Sequence, residues 1–156
     1  MQDTGKLEAI WIKRFKQGPM DACDSAEISK GKGLKDNANQ GGKRAITIIS
    51  QDQWREIMGE LSADLDPSTR RANLMVSSID LPNSRGKILQ IGEARIRIWG
   101  ETRPCHLMEA ALAGLQETMK PEWRGGAFGE PLNDAEISVG DSVQWMTEEA
   151  PESSVI

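Results

Sequence analysis

Apolar residues in this chain come in short runs, broken by Gly, Pro, Asn, Asp and Ser every eight to twelve positions. Runs of that length suit strands better than helices, and turns at that spacing suit antiparallel neighbours. Residues 45–49, Ala-Ile-Thr-Ile-Ile, are the clearest strand, β-branched and apolar. Residues 7–13 are apolar enough for a largely buried first strand, and residues 94–99 alternate as a half-buried strand should. Residues 88–91 precede that run across Gly92-Glu93, a compact hairpin signal. Gly140-Asp141 joins residues 135–139 to 142–145 as a last hairpin. Arg70-Arg71 lead into a strand at Leu74-Met75-Val76, and adjacent arginines on a strand would face opposite ways. The count is six or seven strands with two or three helices between them. That predicts a mainly β fold, a barrel or closed sheet decorated by helices, and not a βαβ alternation.

The run at 94–99 continues into Gly100-Glu101-Thr102-Arg103-Pro104-Cys105-His106, where a helical pattern opens. Met108, Leu112, Leu115 and Met119 recur at the helical period, and Pro104 suits a first turn, where its missing N–H is no loss. Cys105 therefore stands at or beside a helix N-terminus, two residues after Arg103 and next to the chain's only histidine. A positive helix end and a guanidinium both favour the thiolate. A free cysteine is also at home as a small buried apolar residue, and the local sequence leaves both readings open. His106 does not face its immediate neighbour, so it is expected in a structural or hydrogen-bonding role and not as a base for Cys105. A second helix is predicted over Gln51–Leu61, capped by Ser50 with Gln53 in the capping-box position. Its stripe of Trp54, Ile57, Met58 and Leu61 reads as core.

Residues 21–43 are the least readable part, dominated by Asp, Ser, Lys, Gly and Asn, and residues 30–44, with Gly31, Gly33, Gly41 and Gly42, show no helical or strand period. The stretch predicts a surface loop. Its functional alternative is an anion-binding loop, with backbone N–H groups open at the glycines and charge from Lys43 and Arg44. Cys23, in this polar stretch, is expected to be a spare exposed thiol. The formal net charge is −5, and three of the acids, Glu148, Glu149 and Glu152, lie in residues 147–156 without Lys or Arg. That tail is expected to be disordered, leaving residues 1–146 as a single domain. No basic block calls for nucleic acid, and no run reaches the ~18 apolar residues of a membrane span. Two cysteines and one histidine make neither a disulfide framework nor a structural zinc site. With no apolar leader either, the chain reads as cytoplasmic.

The ordered set of these pieces resembles a known family. A glycine-containing loop ends at Arg44 before a strand, and Arg71-Ala72-Asn73-Leu74 follows. Then come Gly86, Leu89 and Ile91-Gly92-Glu93-Ala94, the Thr102-Arg103-Pro104-Cys105 segment, Arg124-Gly125-Gly126, and residues 137–143. Together they resemble a MOSC domain, the module at the C-terminus of molybdenum cofactor sulfurases and found also as small stand-alone bacterial proteins. The resemblance runs from about Leu7 to Trp145. It implies a mostly β barrel fold and a link to the molybdopterin form of the molybdenum cofactor. Cys105 matches the family's cysteine, which would carry sulfur as a persulfide or ligate molybdenum through its thiolate. The cofactor is an anion with a terminal phosphate, so the resemblance points to Arg44, Arg71, Asn73, Arg103 and Arg124 as the residues that bind it.

One departure stands out. Many relatives carry Gly-Asp-x-His in the loop before the first arginine, whereas Lys35-Asp36-Asn37-Ala38-Asn39 stands here without the histidine. These residues also include no pyridoxal-phosphate desulfurase domain, so pyridoxal phosphate is expected only on a separate cysteine desulfurase that donates the sulfur. Three functions are implied. The first is a sulfur carrier acting on the molybdenum cofactor. The second is a molybdenum-dependent reductase of N-hydroxylated compounds with an external electron donor. The third is a non-catalytic module that binds the cofactor and hands it over.

Overall fold

The fold is described from a computed structural model, over residues 4–146. The acidic tail at 147–156 lies outside the described residues. In chain order the strands are β1 (Gly5–Lys13), β2 (Met20–Cys23), β3 (Ser25–Ser29), β4 (Gly33–Leu34), β5 (Ile46–Ser50) and β6 (Leu74–Ser77). They continue with β7 (Ile88–Ile91), β8 (Ala94–Glu101), β9 (Ala127–Pro131), β10 (Ala135–Ser138) and β11 (Ser142–Trp145). Three helices, α1 (Gln51–Leu61), α2 (His106–Ala111) and α3 (Leu115–Thr118), are interposed. Seven strands close a barrel in the order β11-β7-β8-β9-β5-β6-β1, with Gly5 and Lys6 of β1 pairing back onto Val143 and Ser142 of β11. The longest strand, β1, makes closure possible. Its first half joins β11 and its second half carries β2 as an overhang.

Alternation decides what faces inward. Along β8, Ala94, Ile96 and Ile98 are fully buried while Arg95 is exposed, and along β5 Ile46 and Ile48 face the interior. With Leu7, Ile10, Leu74, Val76, Leu89, Ile91 and Val143 they form one continuous core. Truncating a side chain at its centre, Ile98→Ala, is expected to cost about 2–5 kcal/mol, read as a lower urea midpoint with unchanged slope. A second cluster joins Trp54, Ile57 and Met58 of α1 to Met108, Leu115 and Met119 of the α2–α3 segment. This packing sets α2, and Cys105 before it, against the outside of the barrel.

Several expectations change here. The expected loop at 30–44 contains the short strand β4, the poorly readable stretch before it carries most of β2 and all of β3, and β3 and β4 join β10 in a small second sheet. The signal was present but faint: Ala26 and Ile28 alternate with Ser25, Glu27 and Ser29, and both are buried, as is Leu34. The last hairpin is not a hairpin. A turn does form at Gly140, but β10 pairs with β3 while β11 pairs with β1 and β7, so the chain changes sheets there. β5 and β6 run parallel on either side of α1, one βαβ unit in an otherwise antiparallel barrel. The arginines at 70 and 71 precede β6 instead of lying on it. Asp66 caps a 3-10 turn over Pro67–Arg70, and Arg71 ends it in the left-handed region at φ 65°.

Candidate functional site

Cys105 is the N-cap of α2, exposed, with an extended backbone and no side-chain bond to the helix. The predicted single helix is two pieces. It stops at Ala111 and restarts after Gly114, whose φ of 91° suits only glycine, so six residues rather than a long helix stand behind the sulfur. What shapes the site is instead the meeting of two loops. Thr102 N–H donates to the Gly126 carbonyl at 2.8 Å as β8 and β9 part. A Cβ on Gly125 would collide with the Thr102 carbonyl and come within 3.2 Å of Pro104 Cδ. Glycine at 125 lets the two segments touch.

Arg70 lies across this junction. Nε donates to the Gly125 carbonyl at 2.9 Å, and Nη2 to the carbonyls of Thr102 and Arg103 at 3.3 and 3.4 Å. The side chain is buried. Burial draws its pKa below the usual arginine value, and the nearby Cys105 sulfur works in the opposite sense. Sequence reasoning passed it over in favour of Arg71. The usable signal was Asp66-Pro67, which starts a 3-10 turn and so turns Arg70 inward.

A polar row crosses the outer face of the barrel beside that junction. Thr47 of β5 faces outward opposite Phe128 of β9. Asn73 Oδ1 accepts from Thr47 N–H and Oγ1, and Asn73 Nδ2 donates to the Trp11 carbonyl and to Asn37 Oδ1. Asn37 Oδ1 also accepts from Lys13 N–H. Asn73, expected to bind cofactor, thus has its side-chain groups engaged within the protein and acts as scaffold. Asn37, in the segment where this chain departs from the expected pattern, pins the 35–44 loop down.

The row ends in charge on both sides. Arg44 stacks its guanidinium 4.0 Å from the Phe128 ring centroid. At the other end lie Lys13, Lys16 and Arg71. Partial burial, followed by the charges of Arg71 and Lys16, pushes the Lys13 ammonium below its ordinary value. Arg14 is neutralised by Asp21 and Asp36, at 3.1 and 3.7 Å, whereas none of the other three has a described carboxylate within 4.0 Å. Arg71 donates to the Gly18 carbonyl, which orients it. Three cations without a described carboxylate partner therefore crowd that end of the row.

The remaining predicted residues divide. The Arg103 side chain is exposed beside Cys105, and its carbonyl serves Arg70. Arg124 turns away and forks onto Glu60 at 2.7 and 3.1 Å, with Glu56 at 3.5 Å, so its guanidinium ties the loop to α1. That bond holds the Glu60 carboxyl below its ordinary value. A carboxylate of lowered pKa adds stability above its unfolded value and loses it as the pH falls through the folded one. Glu60→Gln is therefore expected to lower the urea midpoint at pH 7, and the deficit should close below about pH 4. His106 is exposed, with no hydrogen bond among the described residues. Cys23 is half-buried on β2 against the core, not the exposed spare thiol expected.

The sequence profile of the MOSC domain matches residues 35–144, well over half of the chain. The chain belongs to the MOSC domain family. MOSC domains are associated with molybdenum cofactor binding. Among solved structures, the YuaD protein from Bacillus subtilis matches this MOSC domain with a TM-score of 0.78 at 19% identity, over 91% of this chain and 95% of that one. YiiM from Escherichia coli matches at 0.70 and 14% identity, over 92% and 70%. YiiM from Geobacillus stearothermophilus matches at 0.72 and 13%, over 94% and 77%. Identities this low speak for the fold alone, and the fold they support is the MOSC barrel. No curated protein matches the chain by sequence. Among the described residues, no helix is long and apolar enough to cross a membrane.

Proposed function

We propose that this MOSC domain binds the molybdenum cofactor and carries sulfur for it as a persulfide on Cys105. The observation that carries the reading is the pairing of an exposed thiol, at the Thr102–Gly125 junction, with an uncompensated cationic end on the same barrel. The donor set fits the cofactor. Lys13, Lys16 and Arg71 would hold its phosphate, Arg44 and Arg103 would add charge at the edges, and Arg124 is taken by Glu60. When bound, the cofactor supplies a metal centre able to accept sulfide. Everything else is done by the chain.

The Cys105 thiolate attacks the terminal sulfur of a persulfide on a cysteine desulfurase. An S–S bond forms at Cys105 as the donor's S–S bond breaks, and the donor cysteine leaves as a thiolate. Pyridoxal phosphate belongs to that donor. The carried sulfur is zero-valent, so its release as sulfide takes two electrons. Two small thiols supply them, leaving as one disulfide, and Cys105 returns to the thiolate.

The test is the pterin and molybdenum content of the protein and of Cys105→Ser, both purified from cells that make the cofactor. The proposal expects pterin with the native protein and less with the variant. Stoichiometric molybdenum that vanishes in Cys105→Ser would make Cys105 a metal ligand and move the reading to the reductase. Pterin unchanged by the substitution would leave a non-catalytic module.

A further inference from the structure

Cations scattered through the sequence at 43, 85, 95 and 97 are gathered by the fold onto one outer face of the barrel. Ala94, Ile96 and Ile98 of β8 point into the core, so Arg95 and Arg97 point outward, opposite Gln90 and Ile88 of β7. Trp99 continues the outward row and donates its Nε1–H to Glu130 Oε1 on β9 at 3.0 Å. Lys43 Nζ stands 4.6 Å from the centroid of the Trp99 ring. Arg85 reaches the same face, its Nη2 lying 3.6 Å from a Cβ built on Gly100. Arg97 Nη1 donates to the Gly86 carbonyl at 2.9 Å. None of these four cations has a described carboxylate within 4.0 Å. The ring under Lys43 and the carbonyl on Arg97 fix those side chains before any ligand arrives, which lowers the entropy cost of binding one. In a chain of formal net charge −5, this face is a local excess of positive charge.

Two polyanions fit such a face, an acidic polypeptide and a single-stranded nucleic acid, and the geometry favours the first. Single strands are held by stacking bases on bare aromatic rings. Here Lys43 covers the Trp99 ring and Arg44 lies 4.0 Å from the centroid of Phe128. Arg95 and Arg97 are about 7 Å apart along β8, which is also the spacing of alternate side chains on an extended peptide. The row from Arg95 to Trp99 runs about 13 Å, room for four or five extended residues. Guanidinium takes carboxylate as a fork. We propose that the outer face of β8, with Lys43, Arg85, Arg95 and Arg97 around Trp99, docks an extended segment of a partner protein rich in Asp and Glu. The face continues through Arg44 and Phe128 to the Thr47–Asn73 row, so a partner held there lies beside that row.

The test is fluorescence anisotropy of a labelled octaglutamate peptide at low salt. The full chain is used with Glu148, Glu149 and Glu152 changed to Gln, so that its own glutamates cannot compete. The peptide should bind saturably and be released by added salt. Arg95→Gln with Arg97→Gln is expected to weaken binding about tenfold, the product of two exposed charge pairs. Because Arg97→Gln also breaks the bond to Gly86, Arg95→Gln alone is the second variant; it should weaken binding about threefold. Arg71→Asn, at the other cationic end of the barrel, should bind the peptide as the parent does. No saturable binding, binding unchanged in the Arg95 and Arg97 variants, or binding lost in Arg71→Asn instead would each overturn the proposal. So would an eight-nucleotide oligothymidylate that binds more tightly than the peptide, which would give the face to nucleic acid. None of these readouts needs cofactor or sulfur, so failure of the carrier function and failure of this inference are told apart.

Discussion

Cys105→Ser is expected to abolish sulfur transfer, by roughly a thousandfold or more, while leaving the fold intact. A hydroxyl at neutral pH is neither ionised nor soft, and removing a nucleophile costs on the order of what removing a whole catalytic unit does. The position tolerates the change. Cys105 is exposed, makes no side-chain bond to α2, and serine is a better N-cap than cysteine. The urea midpoint should therefore hold or rise slightly, and that is what separates loss of chemistry from loss of structure. Cys23→Ser, on the half-buried face of β2, is the control: it should keep the sulfur transfer.

The second large effect is expected at Arg71. Its φ of 65° is strained for most side chains but tolerable for asparagine, so Arg71→Asn removes the charge without fighting the backbone. One charge-assisted hydrogen bond is worth about 1.5–3 kcal/mol, so binding of the cofactor should weaken about ten- to a hundredfold. Inorganic pyrophosphate offers a simpler readout of the same site. It should raise the melting temperature of the native protein, because a ligand that binds only the folded state stabilises it, and should do so much less in Arg71→Asn. Loss of the cation also relieves Lys13, so the variant without ligand is expected to be no less stable than the native protein.

Much of the fold could be read directly from alternation and turns. The strands at 45–49 and 94–99, the Gly92-Glu93 hairpin and the Ser50 cap are local features, and local features are visible along a chain. Gln53 N–H does donate to Ser50 Oγ at 3.1 Å, although the Gln53 side chain reaches for the Glu122 carbonyl instead of closing the box. What escaped was settled by distant partners. β3 has two buried residues and needs β10, more than a hundred positions away, to be a strand at all. The pairing of β10 and β11 with different sheets is decided at Leu7, which exchanges backbone bonds with the 140–141 turn.

The site divides the same way. The exposed place of Cys105 at the start of α2 was legible because a strand end, a proline and an opening helix are consecutive in sequence. Among the arginines, chemistry alone could not distinguish Arg124, which finds two carboxylates on α1, from Arg71, which finds none among the described residues. Arg70 looked like the redundant member of a pair because a strand was assumed. The 3-10 turn at Pro67–Arg70 reverses that, burying Arg70 and leaving Arg71 exposed. Asn73 was expected as a ligand group through the family resemblance, yet its burial required its polar groups to be satisfied internally, by Thr47, Trp11 and Asn37.

The most direct test is to load the protein with sulfur from a cysteine desulfurase and free cysteine, then weigh the peptides carrying Cys105 and Cys23. The account predicts one added sulfur atom on Cys105, none on Cys23, and its removal by a small thiol with release of sulfide. An unmodified Cys105 under conditions that charge a known sulfur acceptor, or a label found on Cys23 instead, would contradict it.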